Sequence, residues 1–163
     1  MYRVSREIDF CYGHRLLNYE GKCRYLHGHN GRAIITIESD HLDSRGMVLD
    51  FGDIKQRVSA WIDEHLDHRM LLCQDDPVVP HLRELGEPMY LLNTNPTAEN
   101  IARLIYEYVL GQQFPVTEVR LWETPKCYAT YHSDPAQPLT ERLRVVEVQA
   151  CCGIGRAGRK LET

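Results

Sequence analysis

Apolar and polar positions along this chain follow two periods, and the switch between them marks out its elements. Tyr2, Val4, Ile8 and Phe10 alternate loosely with polar neighbours, which predicts a first strand over 2–10. The segment from Cys11 to Lys22 contains Gly13, Asn18 and Gly21 and reads as a loop. Arg32 to Glu38 is rich in β-branched residues and predicts a second strand, hairpin-related to the first. Asp43-Ser44-Arg45-Gly46 turns the chain, and Met47 to Phe51 extends it again.

The period then lengthens. Phe51, Ile54, Val58, Trp61, Ile62 and Leu66 recur at helical spacing with polar residues opposite, so a helix is expected over about 52–65. Cys73 to Asn95 reads as a long connection with one short helical turn near Val79 to Leu85. Asn95-Pro96-Thr97 suits a helix start, with Asn95 as the cap and Gly111 as the stop. Val116 to Trp122 and Tyr128 to His132 predict two further strands. Leu143 to Gln149 is a candidate strand ahead of a basic tail. The expectation is one α+β domain over 1–132, ordered ββααββ, with a C-terminal extension over 133–163. Two helices would cover one face of a four-stranded antiparallel sheet. The uncovered face and edges call for self-association into a closed barrel.

Composition narrows the class without naming a chemistry. A chain of 163 residues suits one domain, and 43% hydrophobic with 26% charged residues is ordinary for a globular protein. A net charge of −4 gives no footprint for nucleic acid. No apolar run reaches membrane-spanning length, and the first residues lack the apolar core of a signal peptide, so a cytoplasmic protein is expected. Six cysteines show no Cys-x-x-Cys pair; Cys11, Cys73 and Cys127 read as reduced, mostly buried small hydrophobes.

The candidate chemistry centres on Cys23-Arg-Tyr-Leu-His27-Gly28-His29. Two residues apart in an extended strand, His27 and His29 face the same way and can reach one ion. Gly28 leaves room for close approach by backbone or ligand. With His14 they make three imidazoles, enough to hold Zn²⁺ and leave a fourth position open. Asp67-His68 suits a proton relay, although acid–histidine pairs also occur on solvated helix ends. His65 reads as a helix C-terminal residue rather than a ligand. Glu123 ends an apolar strand, either as a solvent-facing carboxylate or as a recognition group for a planar N–H donor edge. A thiolate at Cys23 can act as a base as well as a nucleophile.

Phe10-x-x-x-His14, Lys22-Cys23-x-x-x-His27-Gly28-His29, Gly46 to Phe51, Leu66-Asp67-His68, Asn95 to Asn100 and Trp122-Glu123-Thr124 resemble the 6-pyruvoyl-tetrahydropterin synthase family, over about residues 2 to 132. The bacterial 6-carboxy-5,6,7,8-tetrahydropterin synthases of queuosine biosynthesis are the branch most similar. The resemblance implies the tunnelling fold, in which subunits join their sheets into a barrel and stack, usually as a hexamer. It implies Zn²⁺ on His14, His27 and His29, Cys23 as proton acceptor, Asp67 and His68 as its relay, and Glu123 as pterin anchor and relay member. The implied substrate is the small molecule 7,8-dihydroneopterin triphosphate. Its side chain is cleaved to a carboxylate or, in the alternative, only triphosphate is eliminated to give the 6-pyruvoyl product. A non-catalytic pterin- or zinc-binding subunit is a third reading. Cys11-Tyr12-Gly13 before His14 departs from the small residues usual there.

Overall fold

The computed structural model of the protein describes residues 1–133. Two long strands form its spine: β1 (Tyr2–His14) and β2 (His27–Ser39), paired antiparallel along their whole length. The first strand therefore runs four residues beyond the predicted boundary, and the second begins five residues earlier. Gly13, read locally as a loop residue, sits opposite Gly28 in this extension. A Cβ at Gly28 would meet the Tyr12 carbonyl at 3.0 Å, so the close backbone approach requires glycine there.

The helical period after Phe51 is borne out as a continuous helical stretch: α1 (Phe51–Ile54), a π turn (Lys55–Ser59) and α2 (Ala60–His65). Asp50 caps its start by accepting from the Gly52 amide at 2.7 Å. The long connection holds more than expected. β3 (Arg69–Cys73), α3 (Val79–Glu84) and β4 (Met89–Leu92) form a parallel crossover unit laid against β1. Then come α4 (Ala98–Gly111), β5 (Val116–Thr124) and β6 (Cys127–His132).

The sheet is therefore six-stranded and mixed, in the order β4-β3-β1-β2-β5-β6, not four-stranded and antiparallel. The two added strands escaped the period-2 reading because they are short and lack alternation. Leu71, Leu72 and Cys73 are consecutive and all buried, the continuous apolar run typical of a parallel strand.

One core joins a face of this sheet to the helices. Ile35, Ile37 and Leu121 from the strands meet Ile54, Val58, Ile62, Ile101 and Ile105 from the helices, all inaccessible to solvent. The start of α4 also differs from expectation. Thr97 is its cap, accepting from the Asn100 amide at 3.4 Å, and Asn95 is used elsewhere. Gly111 is the last helical residue, and Gln113, at φ 65°, reverses the chain after it. The extension from 134 onward, including the candidate strand at 143–149, lies outside the described residues.

Candidate metal centre and active site

The register of β1 on β2 assembles the histidines. His14 pairs directly with His27, and His29 pairs with Tyr12, so His14, Tyr12, His27 and His29 project from one face at the end of the ribbon. The three imidazoles converge, with ring centroids 4.5, 5.0 and 5.1 Å apart. One ligand atom from each lies within 4.8 Å of the others. The expectation from the two-residue spacing is met, and it is the strand extension that carries His14 into place.

Neighbouring groups fix the rings in a ligating tautomer. His14 Nδ1 lies 2.7 Å from the Pro96 carbonyl and His27 Nδ1 lies 2.7 Å from the Tyr25 carbonyl. Because a carbonyl only accepts, each Nδ1 carries the proton and each Nε2 presents a lone pair. Those two Nε2 atoms face each other at 3.0 Å. Ligands about 2.05 Å from a tetrahedral ion stand about 3.3 Å apart, so the pair needs only a few tenths of an ångström to embrace one. Burial lowers the His14 pKa below its ordinary value, against the opposing pull of Pro96 and Glu123, which favours the neutral ring that a metal ligand requires. The Pro96 carbonyl is positioned by Asn95, whose side chain accepts from the Leu17 amide at 2.7 Å and donates to the Leu17 carbonyl at 2.8 Å.

Glu123, at the end of β5, borders the same centre. Its Oε1 lies 3.8 Å from His14 Nε2 and accepts a 3.0 Å hydrogen bond from the Tyr12 hydroxyl. Burial first, then the Glu123 charge, push the Tyr12 phenol pKa upward, so Tyr12 stays a neutral donor. Tyr12 is 3% exposed, its ring packed edge-on to His14. The departure from small residues before His14 thus places a hydroxyl on the carboxylate beside the histidine cluster.

Asp67 and His68 occupy the opposite face of β1. Asp67 Oδ2 lies 2.6 Å from His68 Nδ1, and Asp67 Oδ1 accepts from the Cys11 amide at 2.7 Å. The His68 amide donates to the Cys11 carbonyl at 2.6 Å, which fastens a left-handed backbone at His68 (φ 54°) to the strand. Burial opposes ionisation of Asp67, but the Cys11 amide and His68 outweigh it and hold the carboxyl below its ordinary pKa. The pair is therefore oriented as a relay needs, with His68 largely exposed.

Cys23 stands apart from these groups. It lies half-buried in a 3₁₀ turn (Lys22–Arg24), its carbonyl accepting from the Leu16 amide at 2.8 Å. It belongs to neither cluster of potential ligands found among the described residues. The thiol that does lie beside Asp67 and His68 is Cys11. Cys11 is half-buried and Cys127 exposed, and of the three cysteines read as buried only Cys73 is so. A cavity of about 630 Å³ counts His27 and His29 of the triad, together with Cys11 and His68, among its lining residues.

Residues 3–134 match the 6-pyruvoyl tetrahydropterin synthase family. The chain belongs to that family. A 6-carboxy-5,6,7,8-tetrahydropterin synthase of Rickettsia bellii is 41% identical over 135 residues, covering 78% of this chain and 98% of its own. An uncharacterized Wolinella succinogenes protein of known crystal structure is 31% identical, with a TM-score of 0.70 over 82% of this chain and 98% of that one. The 6-pyruvoyl tetrahydropterin synthase of Caenorhabditis elegans, 23% identical over 82% of this chain and 96% of its own, shares the fold with a TM-score of 0.61. In this member of the 6-pyruvoyl tetrahydropterin synthase family, spacing reveals the three histidines, the Asp-His pair and Glu123. It does not reveal Tyr12, Cys11 or the Pro96 and Tyr25 carbonyls. Tyr12 and Cys11 carry no motif of their own, and backbone acceptors leave no mark in a sequence.

His65 behaves as read: its Nδ1 lies 3.1 Å from the Trp61 carbonyl at the end of α2, and it joins no ligand cluster. No helix among the described residues is long and apolar enough to cross a membrane.

Proposed function

We propose that the protein is a zinc-dependent lyase acting on 7,8-dihydroneopterin triphosphate. With consumption of water it forms 6-carboxy-5,6,7,8-tetrahydropterin and releases acetaldehyde and triphosphate, as a cytoplasmic step of 7-deazapurine (queuosine) biosynthesis. The observation that carries the reading is the pair of lone-pair-bearing Nε2 atoms 3.0 Å apart, with the third imidazole beside them. The Rickettsia bellii relative bearing the same activity in its name supports the choice of product.

His14, His27 and His29 would hold the zinc, whose Lewis acidity would polarise a substrate oxygen and ease proton removal from the neighbouring carbon. Cys23 accepts that proton, and His68, oriented by Asp67, passes it on. Glu123 anchors the pterin by accepting from its planar donor edge and contributes to the relay. Residues 1–132 form the catalytic domain. The protein works as a closed homo-oligomer, a hexamer in this reading, in which the edge strands β4 and β6 are covered.

Mass spectrometry of the products from zinc-loaded protein tests the reaction. Acetaldehyde with a 6-carboxypterin is expected. A 6-pyruvoyl product would replace this reading with triphosphate elimination alone, and bound but unchanged ligand would leave a non-catalytic binding subunit.

A further inference from the structure

Cys11, Asp67 and His68 form a second convergence of metal-ligating groups, on the face of β1 opposite the histidine triad. A Cys11 sulfur, an Asp67 oxygen and a His68 nitrogen all lie within 4.8 Å of one another. Strand alternation separates the two clusters: Tyr12 and His14 point into the core, whereas Cys11 points to the more open face. The relay explains why Asp67 and His68 stand together, but it assigns nothing to the thiol.

We propose that Cys11, Asp67 and His68 bind a second, borderline-soft divalent cation such as Zn²⁺. Thiolate, imidazole and carboxylate are together a donor set zinc accepts, and sulfur disfavours magnesium or calcium. A fourth donor is adjacent, since Asn30 Oδ1 accepts from the Cys11 thiol at 3.2 Å. Binding releases the thiol proton to solvent, frees that Asn30 oxygen and forms a sulfur–metal bond, while the Asp67–His68 hydrogen bond opens and the neutral imidazole keeps its one proton on the nitrogen that does not ligate. Two contacts to the Cys11 backbone, from Asp67 Oδ1 and the His68 amide, already hold the donors in one place. Two cavities, of about 810 and 630 Å³, include Cys11 in their lining, so an ion has access. Occupancy would remove Asp67 and His68 from proton transfer. That consequence rests on the reading of the pair as a relay, whereas binding itself does not.

Cobalt separates the two centres, because three imidazoles give only weak visible bands while a thiolate ligand adds an intense near-ultraviolet charge-transfer band. Metal-free full-length protein carrying Cys23→Ser is titrated with Co²⁺, which removes Cys23 as a source of the band. A charge-transfer band is expected to grow with the second equivalent. Adding Cys11→Ser abolishes it, and His68→Ala weakens the second equivalent roughly ten- to a hundredfold. His27→Ala removes the first equivalent and spares the band, so failure of the triad and failure of this site are read separately. No thiolate band at two equivalents, or a band that survives Cys11→Ser, overturns the proposal.

Discussion

The two faces of β1 carry the same kinds of groups and build them by different means. On the core face, His14 is 2% exposed and is locked by strand register, the Pro96 carbonyl and the rings of His27 and His29. On the other face, His68 has a side chain 79% exposed and depends on one turn, a left-handed residue and a few bonds to Cys11. The first arrangement suits a group that must stay put, since strand pairing over-determines the ring positions. The second suits a group that must gain and lose a proton in contact with water. A single strand, through its period of two, keeps the chemistries apart, while His27, His29, Cys11 and His68 still line one cavity.

The largest effect should come from the locked face. His27→Ala removes one of three ligands and half of the facing Nε2 pair, so the protein should lose about the one equivalent of zinc that the histidine triad holds. Elemental analysis of the purified variant checks this. Full zinc content in His14→Ala, His27→Ala and His29→Ala alike would break the distinction between the faces by removing the metal from one.

On the open face the effect should be kinetic. Asp67→Asn leaves the triad's zinc in place and should lower turnover by about 10² to 10⁴, because His68 loses the carboxylate that orients it. Cys23→Ala should do the same if its thiol is the proton acceptor. Single-turnover rates and zinc content measured on both variants decide between roles. Loss of zinc in Cys23→Ala makes the thiol a member of the metal centre, and normal turnover ends its assignment as base.

The faces also differ in how much of them the sequence discloses. The triad is legible because its signal is local: His27 and His29 are two apart, and strand geometry alone aligns them. What was missed there is the length of β1, since Gly13 suggests a loop but serves a close strand pairing with Gly28. The partner of Asp67-His68 was not legible. Cys11 lies 56 residues from Asp67, and their meeting follows from β3 running parallel to β1, a strand too short and too uniformly apolar to show a period. The helices were found because their stripes are long, whereas the cap of α4 was misplaced because Asn95 satisfies Leu17 instead.

The smallest expected effect sharpens the comparison on the locked face. Tyr12 donates to Glu123 at 3.0 Å, beside His14, and it is a side chain there with no counterpart in the residue spacing. Glu123→Gln turns an acceptor into a donor facing the pterin's own donors, and should weaken ligand binding by about 1.5–3 kcal/mol, roughly ten- to a hundredfold. Tyr12→Phe keeps the ring against His14 and the carboxylate charge, and removes only the hydroxyl. A hydrogen bond to a charged acceptor is worth about 1.5–3 kcal/mol when fully enclosed, but the Glu123 side chain is 22% exposed and water can replace the lost donor. Tyr12→Phe should therefore cost about 1 kcal/mol in denaturant unfolding and weaken ligand binding several-fold, with zinc content unchanged. If it weakens binding as much as Glu123→Gln, Tyr12 touches the ligand itself; if it changes neither stability nor binding, the hydroxyl does not orient Glu123, and strand packing alone sets the carboxylate beside the metal centre.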